Sequence, residues 1–179
     1  LSSLTKKPGT LIVDEKKLIE KEIVSGVSYS KNESKITISG IPDKPGISAE
    51  IFGLLASKNI NVDMIVQNIS QDGISANITF TVPNSEIIYA KKILRNDLNF
   101  ISYHSIKTDE KVSKISVIGM GMMSQSGVAQ KMFKTLAEHS INILAISTSE
   151  IKISVLIDEK FTNIAVQSLH NAYNLEYKD

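Results

Sequence analysis

The alternation of apolar and polar residues predicts a strand near the start of each half of the chain. Lys35–Gly40 and Lys114–Gly119 place apolar residues mostly at alternate positions, as in a strand with one buried face. A loop follows each strand, and the next apolar residues recur at helical spacing. The apolar faces of these two helices are Ile47, Ile51, Leu54 and Leu55 in the first half and Val128, Met132 and Leu136 in the second. Each half therefore opens with a strand and an amphipathic helix.

The rest of each half predicts a hairpin, a second helix and a last strand. In the first half these are the hairpin Val62–Ile69 and Ile74–Val82, the helix Ser85–Asn96 and the strand Phe100–Lys107. In the second half they are the hairpin Asn142–Ser147 and Ile151–Ile157, the helix Thr162–Tyr173 and the short strand Leu175–Lys178. The order in both halves is βαββαβ.

The two halves are copies of one unit. One constant shift along the chain aligns Gly46 with Gly127 and Asn61 with Asn142, and a slightly shorter shift later in the chain aligns Leu94 with Leu169. Such self-similarity indicates a duplicated domain. The sequence therefore predicts an α+β fold of two tandem ferredoxin-like βαββαβ domains, each with its helices on one face of an antiparallel sheet.

The repeat also sets the domain boundaries that we expect. Residues 34–110 form the first domain and residues 111–179 the second, while residues 1–33 are a linker in which residues 23–30 could add a strand. Each small sheet leaves one face without helices, and that face must be buried against another surface.

Composition narrows the class of protein. The formal net charge is +1, with 20 Lys and Arg against 19 Asp and Glu, which argues against a nucleic-acid partner. The absence of cysteine excludes disulfides, thiol nucleophiles and zinc–thiolate sites. No apolar run approaches the ~20 residues of a membrane helix, so we expect a cytoplasmic protein that does not bind membranes. The chain begins with Leu1, which favours a fragment of a longer protein.

No constellation of reactive side chains predicts an enzyme. The three histidines, His104, His139 and His170, lie on different predicted elements and lack metal-ligand spacing. Gly119-Met120-Gly121 imitates part of a dinucleotide-binding fingerprint, but Ser124 stands where the third glycine belongs. We therefore expect no catalytic residue, no metal site and no cofactor in this chain.

The strongest candidate for binding is the junction between the first strand and the first helix. The loop from Ile41 to Ser48 bends at Pro45-Gly46 and begins a helix whose first N–H groups lack partners, which suits a carboxylate. Asp43 adds a negative charge that suits an ammonium group. Together they match a free amino acid. The alternative is that Asp43 caps the helix or organises the turn.

Several motifs support a resemblance to a known family. In the first half they are Asp43-Lys44-Pro45-Gly46, Asn61-Val62-Asp63-Met64-Ile65-Val66-Gln67-Asn68 and Ile78-Thr79-Phe80-Thr81-Val82. In the second half they are Gly127-Val128-Ala129, Lys131-Met132-Phe133 and Ile146-Ser147-Thr148-Ser149-Glu150-Ile151-Lys152-Ile153-Ser154-Val155. With these motifs the chain resembles the regulatory portion of the aspartokinases, which consists of two ACT domains. Pro8-Gly9-Thr10-Leu11-Ile12 resembles the stretch where the kinase domain of that family leads into this portion.

The resemblance implies the effector and its site. In that family lysine, threonine or both bind between the first ACT domain of one chain and the second ACT domain of its partner. Carried over, the first pocket would consist of Asp43, Lys44, Pro45, Gly46, Ile47, Ser48, Asp63 and Gln67, closed by Asn142 and Ile143. The related second pocket would consist of Val128, Ala129, Asn61, Val62, Ser149 and Glu150.

Two departures from the family pattern bear on effector choice. Ser124-Gln125-Ser126-Gly127 lacks the proline that the family often carries, which leaves the second loop less pre-set. Asn77 stands where the family usually carries aspartate.

The resemblance also implies the function and the partners. The chain would be the regulatory part of an aspartokinase, exerting feedback inhibition on ATP-dependent phosphorylation of aspartate. Its partners would be threonine or lysine, a second copy in a homodimer, and a kinase domain or subunit that holds ATP and Mg²⁺. The alternatives are a fragment of a full-length active enzyme and a stand-alone amino-acid-binding or dimerisation module.

Overall fold

The computed structural model describes residues 24–120 and 127–175. The six strands are β1 (Gly26–Pro42), β2 (Asp63–Ile69), β3 (Ser75–Pro83), β4 (Ser105–Ile118), β5 (Ala145–Thr148) and β6 (Lys152–Asp158). The four α-helices are α1 (Ile47–Ser57), α2 (Ile87–Asp97), α3 (Val128–Glu138) and α4 (Thr162–Ala172), and a short 3₁₀ helix, Glu159–Phe161, precedes α4. No helix in these two ranges is long and apolar enough to cross a bilayer.

All six strands form one antiparallel sheet in the order β2-β3-β1-β4-β6-β5. The two predicted units are present, so the α+β prediction of paired ferredoxin-like repeats is confirmed. Their sheets are joined because β1 and β4 are long enough to serve both units. β4 is one run of 14 residues that joins the end of the predicted strand Phe100–Lys107 to the predicted strand Lys114–Gly119. The predicted start at Phe100 is wrong, because residues 100–104 lie in no strand and β4 begins at Ser105.

The N-terminal part of β1 occupies the fourth-strand position of the second unit. Residues 26–30 pair with Lys114–Ile118 of β4, while the later part of β1 pairs with β3 and the first part of β4. The prediction that Leu175 begins the last strand is wrong, because Leu175 lies in no strand. The place beside β4 is already taken by β1. Residues 176–178 of that predicted strand lie outside the described residues.

The duplication extends to the ends of the first helix in each unit. After α1 the N–H of Asn59 donates to the carbonyl of Ala56 at 2.9 Å, and after α3 the N–H of Ser140 donates to that of Ala137 at 2.9 Å. Asn59 and Ser140 share a φ of 57°. The same left-handed turn therefore ends both helices, at positions that the repeat aligns.

Two hydrophobic cores lie beneath the helices, one in each unit. In the first, Phe80 of β3 is fully buried and its ring meets that of Phe52 edge to face, with centroids 5.4 Å apart. In the second, Met132 and Leu136 of α3 are fully buried. Leu94 and Leu169, which the repeat aligns, have equivalent buried positions on α2 and α4. The apolar spacing in the sequence thus gives the packed faces of these helices.

The helix-free faces of the two units are buried against each other in part. Ser116, Ser154 and Leu156 are almost inaccessible, although none belongs to either helix-covered core. The outer strands β2 and β5 are in contact, although they stand at opposite ends of the strand order. The sheet is therefore strongly curled, and its polar face forms the junction between the units.

Candidate functional site

The junction before α1 presents an unusual helix start. Gly46 is the N-cap with φ 97° and ψ −26°, and no side chain caps the helix. The N–H of Ile47 donates to the carbonyl of Lys44 at 3.4 Å, and the first helical bond runs from the N–H of Glu50 to the carbonyl of Gly46. In the described part of the chain, the N–H groups of Ser48 and Ala49 have no acceptor. This leaves two adjacent amide donors at the positive end of the helix.

The structure corrects the predicted hydrogen bonding of Ile47 and shows that Asp43 is not the helix cap. The sequence predicts a free N–H at Ile47, but the tight turn after Pro45 brings the carbonyl of Lys44 within reach of it. Asp43 does not cap α1, because Gly46 occupies the cap position. The backbone of Asp43 is fixed by its N–H donating to the carbonyl of Ile74 at 3.0 Å, while its side chain is exposed.

Of the two predicted partners on β2, one lies at the loop and the other does not. The Gln67 side chain accepts a hydrogen bond from the Ser48 hydroxyl at 2.8 Å, which ties β2 to the start of α1. Asp63 pairs in register with Thr81, on the helix-free face, and its carboxylate is bound by the ammonium of Lys114. A shift of register between Asp63 and Val66 separates the two side chains. Asp63 therefore contacts Lys114 and not the start of α1, and its place in the first pocket stays a prediction.

Asn61 and Val62, assigned to the second pocket, precede β2. The N–H of Asn61 donates to a carboxylate oxygen of Glu86 at 3.2 Å, and Val62 packs against the first core. Both residues are thus fixed by their own unit. No hydrogen bond or ion pair of the described residues joins them to the second helix start.

The junction before α3 repeats that before α1. Gly127 is the N-cap with φ 106°, and the N–H of Lys131 donates to its carbonyl at 2.9 Å. The carbonyl of Val128 accepts a hydrogen bond from the Tyr173 hydroxyl at 2.6 Å, and Ala129 packs against the second core. The rest of the predicted loop, residues 121–126, lies outside the described residues.

The remaining predicted residues flank β5. Asn142 and Ile143 lie just before the strand, which begins at Ala145 rather than at Asn142 as the sequence predicted. Ser149 and Glu150 are exposed in the turn to β6, where the N–H of Ser149 donates to the carbonyl of Lys152 at 2.8 Å. β5 is an outer strand of the sheet, so one of its edges has no strand partner in the described chain.

No sequence pattern indicates one cluster of charged side chains, which includes the predicted site residue Asp63. Lys114 of β4 contacts both Asp63 and Glu33, which lie on other strands much earlier in the chain. The alternating pattern of β4 assigns Lys114 to the polar face, but nothing in the pattern identifies partners so distant. Only the curled sheet brings the three together.

Two surface clefts lie elsewhere. One of about 570 Å³ is lined by Lys31, Lys111, Asp158, Glu159, Lys160 and Asn163, and one of about 330 Å³ by Tyr29, Asn163, Val166, Gln167, His170 and Asn171. Neither includes a residue of the predicted pockets. Within residues 24–120 and 127–175, no group of three His, Asp or Glu side chains could hold a metal ion.

Comparison with known proteins identifies the relatives of the chain. A family model described as the ACT domain matches residues 31–98 and 115–173. An aspartate kinase of Pseudomonas fluorescens is 46% identical over 177 residues, which cover 98% of this chain and 43% of that protein. This chain thus spans less than half the length of that relative.

Solved structures give the same relationship. The fold is similar to that of aspartokinase alpha and beta subunits, with a TM-score of 0.78 and 47% identity over 85% of this chain and 99% of that one. It is equally similar to the ligand-free regulatory subunit of aspartate kinase from Thermus thermophilus, with a TM-score of 0.78 and 34% identity over 84% of this chain and 99% of that one.

Proposed function

Because the chain belongs to the ACT-domain family and corresponds to the regulatory region of an aspartokinase, we propose that it binds threonine, lysine or both as feedback effectors. The effector lowers the activity of the associated kinase, which phosphorylates aspartate with ATP and Mg²⁺. This chain itself contributes regulation and no catalytic group. We place it in the cytoplasm, with no nucleic-acid or membrane partner.

The observation that carries the proposal is the start of α1. Two amide donors without an acceptor among the described residues, those of Ser48 and Ala49, follow the glycine cap, and the exposed carboxylate of Asp43 belongs to the same loop. A helix N-terminus favours a carboxylate, and a carboxylate favours an ammonium. An α-amino acid carries both charges on one carbon, so the loop suits its backbone.

A second copy of the chain completes the pocket. β2 and β5 are the outer strands of the sheet and carry exposed apolar side chains, including Ile65, Ile69 and Ile146. Unpaired strand edges with apolar side chains favour association with another chain. We infer a homodimer in which β5 of one copy, with Asn142 and Ile143, closes the pocket at β2 of the other.

Inhibition then requires a difference in effector affinity between two arrangements of the kinase. The effector need only bind better in the less active arrangement, and coupling of this kind is typically ~1–3 kcal/mol. A stand-alone amino-acid-binding module without a kinase is the second candidate. Adding the cognate kinase portion, and assaying aspartyl phosphate with and without effector, separates the two.

The first test is binding to the purified chain. Titration calorimetry and thermal unfolding should detect threonine or lysine, with methionine and aspartate as comparison ligands, because stabilisation follows ligand excess over the dissociation constant. Asp43→Ala should weaken binding by roughly 10–150-fold, the range for loss of a charged hydrogen bond. It should leave the fold intact, because the Asp43 side chain is exposed.

The matched control is Glu138→Ala. It removes an exposed carboxylate at the opposite end of the equivalent helix α3, where Glu138 has only a 3.9 Å contact with Lys134. Effector affinity should be unchanged in this variant. The pocket is misplaced if wild-type protein ignores both amino acids at millimolar concentration, or if Asp43→Ala and Glu138→Ala bind equally well.

A further inference from the structure

Lys114 joins three strands at the junction between the two units. Its ammonium lies 3.1 Å from a carboxylate oxygen of Glu33 on β1 and also binds the carboxylate of Asp63 on β2. Lys114 itself belongs to the part of β4 that serves the second unit. A single cation therefore connects the edge strand of the first unit to the sheet of the second.

The segment that Lys114 holds is irregular. Met64 has a φ of 45°, a left-handed conformation that is costly for a side chain of this type, and it coincides with the shift of register between Asp63 and Val66. The other oxygen of the Asp63 carboxylate accepts the N–H of Met64 at 2.7 Å. The second unit lacks this irregularity, since β5 pairs with β6 in unbroken register. The strained turn of β2 is thus held by the carboxylate that Lys114 binds.

The electrostatics favour a persistent contact. Burial by itself lowers the pKa of Lys114, but its hydrogen bonds to Asp63 and Glu33 outweigh burial and raise that pKa. The hydrogen bond from Lys114 is the main cause that lowers the pKa of Asp63, and Lys152 adds to it. Glu33 is 8% exposed. Removing the Lys114 ammonium would leave the Glu33 carboxylate buried without an opposite charge, which is strongly unfavourable.

We propose that Lys114 is a positioning residue for effector binding: through Asp63 it fixes the start of β2, the strand whose Gln67 is bonded to the effector loop. This inference rests on the proposed function. It adds that a residue of the second unit preorganises the first pocket. The relative position of the two units and the binding of effector at the loop are therefore coupled.

Hydrogen exchange tests the positioning without any ligand. Lys114→Met should speed amide exchange across Asp63–Ile69 by about tenfold or more, because local opening of β2 becomes easier. Lys114→Arg keeps the charge and should restore slow exchange. Lys35→Met is the matched control, because Lys35 is also a part-buried strand lysine paired with a carboxylate, that of Asp109 at 3.6 Å. It should leave exchange in β2 unchanged.

Effector titrations test the coupling. Lys114→Met should weaken binding of threonine or lysine by about tenfold, within the 5–150-fold range of allosteric coupling. The reduction should vanish in the Asp63→Asn background, because Lys114 acts through that carboxylate. If Lys114→Met alone does not fold, Lys114→Met with Glu33→Gln removes the unpaired buried charge and serves in its place.

The outcomes are distinct. Unchanged exchange in β2 of the folded Lys114→Met protein, or an equal loss of affinity with and without Asp63→Asn, overturns the positioning role. If wild-type protein binds neither amino acid, the proposed function fails, and with it the coupling, while the exchange experiment still decides whether Lys114 holds β2.

Discussion

Replacing Gly46 with alanine tests whether the left-handed start of α1 is needed. The φ of 97° lies in the region that residues with a Cβ avoid, at a cost of about 1–2 kcal/mol. A Cβ at this position meets no atom within 4 Å, so no steric clash adds to that cost. Alanine also lowers the conformational entropy of the unfolded chain, which stabilises the folded protein by about 0.4–1 kcal/mol. The net loss of unfolding free energy should be near ~1 kcal/mol.

Gly53→Ala is the matched control because it lies in the same helix. Gly53 is inside α1 without a positive φ, and a Cβ there also meets nothing within 4 Å. Alanine should therefore stabilise the protein, by about 0.5–1 kcal/mol. Two identical substitutions, one at the cap and one inside the helix, are expected to change stability in opposite directions.

Urea unfolding and thermal melts measure both variants. At about 2–4 °C per kcal/mol for chains of this size, the melting temperature should fall by a few degrees for Gly46→Ala and rise slightly for Gly53→Ala. Gly46→Ala should also reduce stabilisation by effector, since the amide donors follow the cap. The reasoning is refuted if Gly46→Ala is as stable as wild type, or if both variants are destabilised alike.

Two further predictions concern the second unit. The hydroxyls of Ser116 and Ser154 form a buried hydrogen bond at 2.8 Å, so either single change to alanine should cost about 1–3 kcal/mol by leaving one hydroxyl unpaired. The double variant should lose less than the sum in urea unfolding, and strict additivity would contradict a shared bond. Burial raises the pKa of Tyr173 to about 12, above its ordinary 10.0, so the stability that the protonated phenol contributes is fully present below about pH 10 and is lost between pH 10 and 12. Tyr173→Phe should flatten the decline of unfolding free energy in that range, and the same slope in both proteins would argue against a raised pKa of this phenol.

The local elements could be predicted from the sequence because their signals are local. The buried faces of α1 and α3 follow from apolar spacing, and the glycines before both helices mark the loops that the structure presents. The repeat predicts that both units share one topology, and their matched helix ends agree with it.

What the sequence could not predict depends on pairing between distant segments. The alternating pattern of β4 gives its buried face but not its continuity, since Phe100–Lys107 and Lys114–Gly119 have the pattern of separate strands. The place of residues 26–30 could not be predicted either, because their partners lie in Lys114–Ile118. The orientation of Asp63 depends on a register shift in β2, which no local pattern marks.

Residues 26–30 come before the first repeat in the chain but belong to the sheet of the second unit. This affects how the protein folds during synthesis and where it can be cut. Residues 26–30 leave the ribosome long before their partners on β4, so the second repeat can complete its sheet only by closing a loop around the whole first repeat. A fragment that begins at residue 111 would therefore lack one edge strand, although it contains the whole second repeat. Adding a peptide of residues 24–33 should restore it. The repeat in the sequence and the folded unit therefore have different boundaries, because the second unit includes a strand that precedes the first repeat.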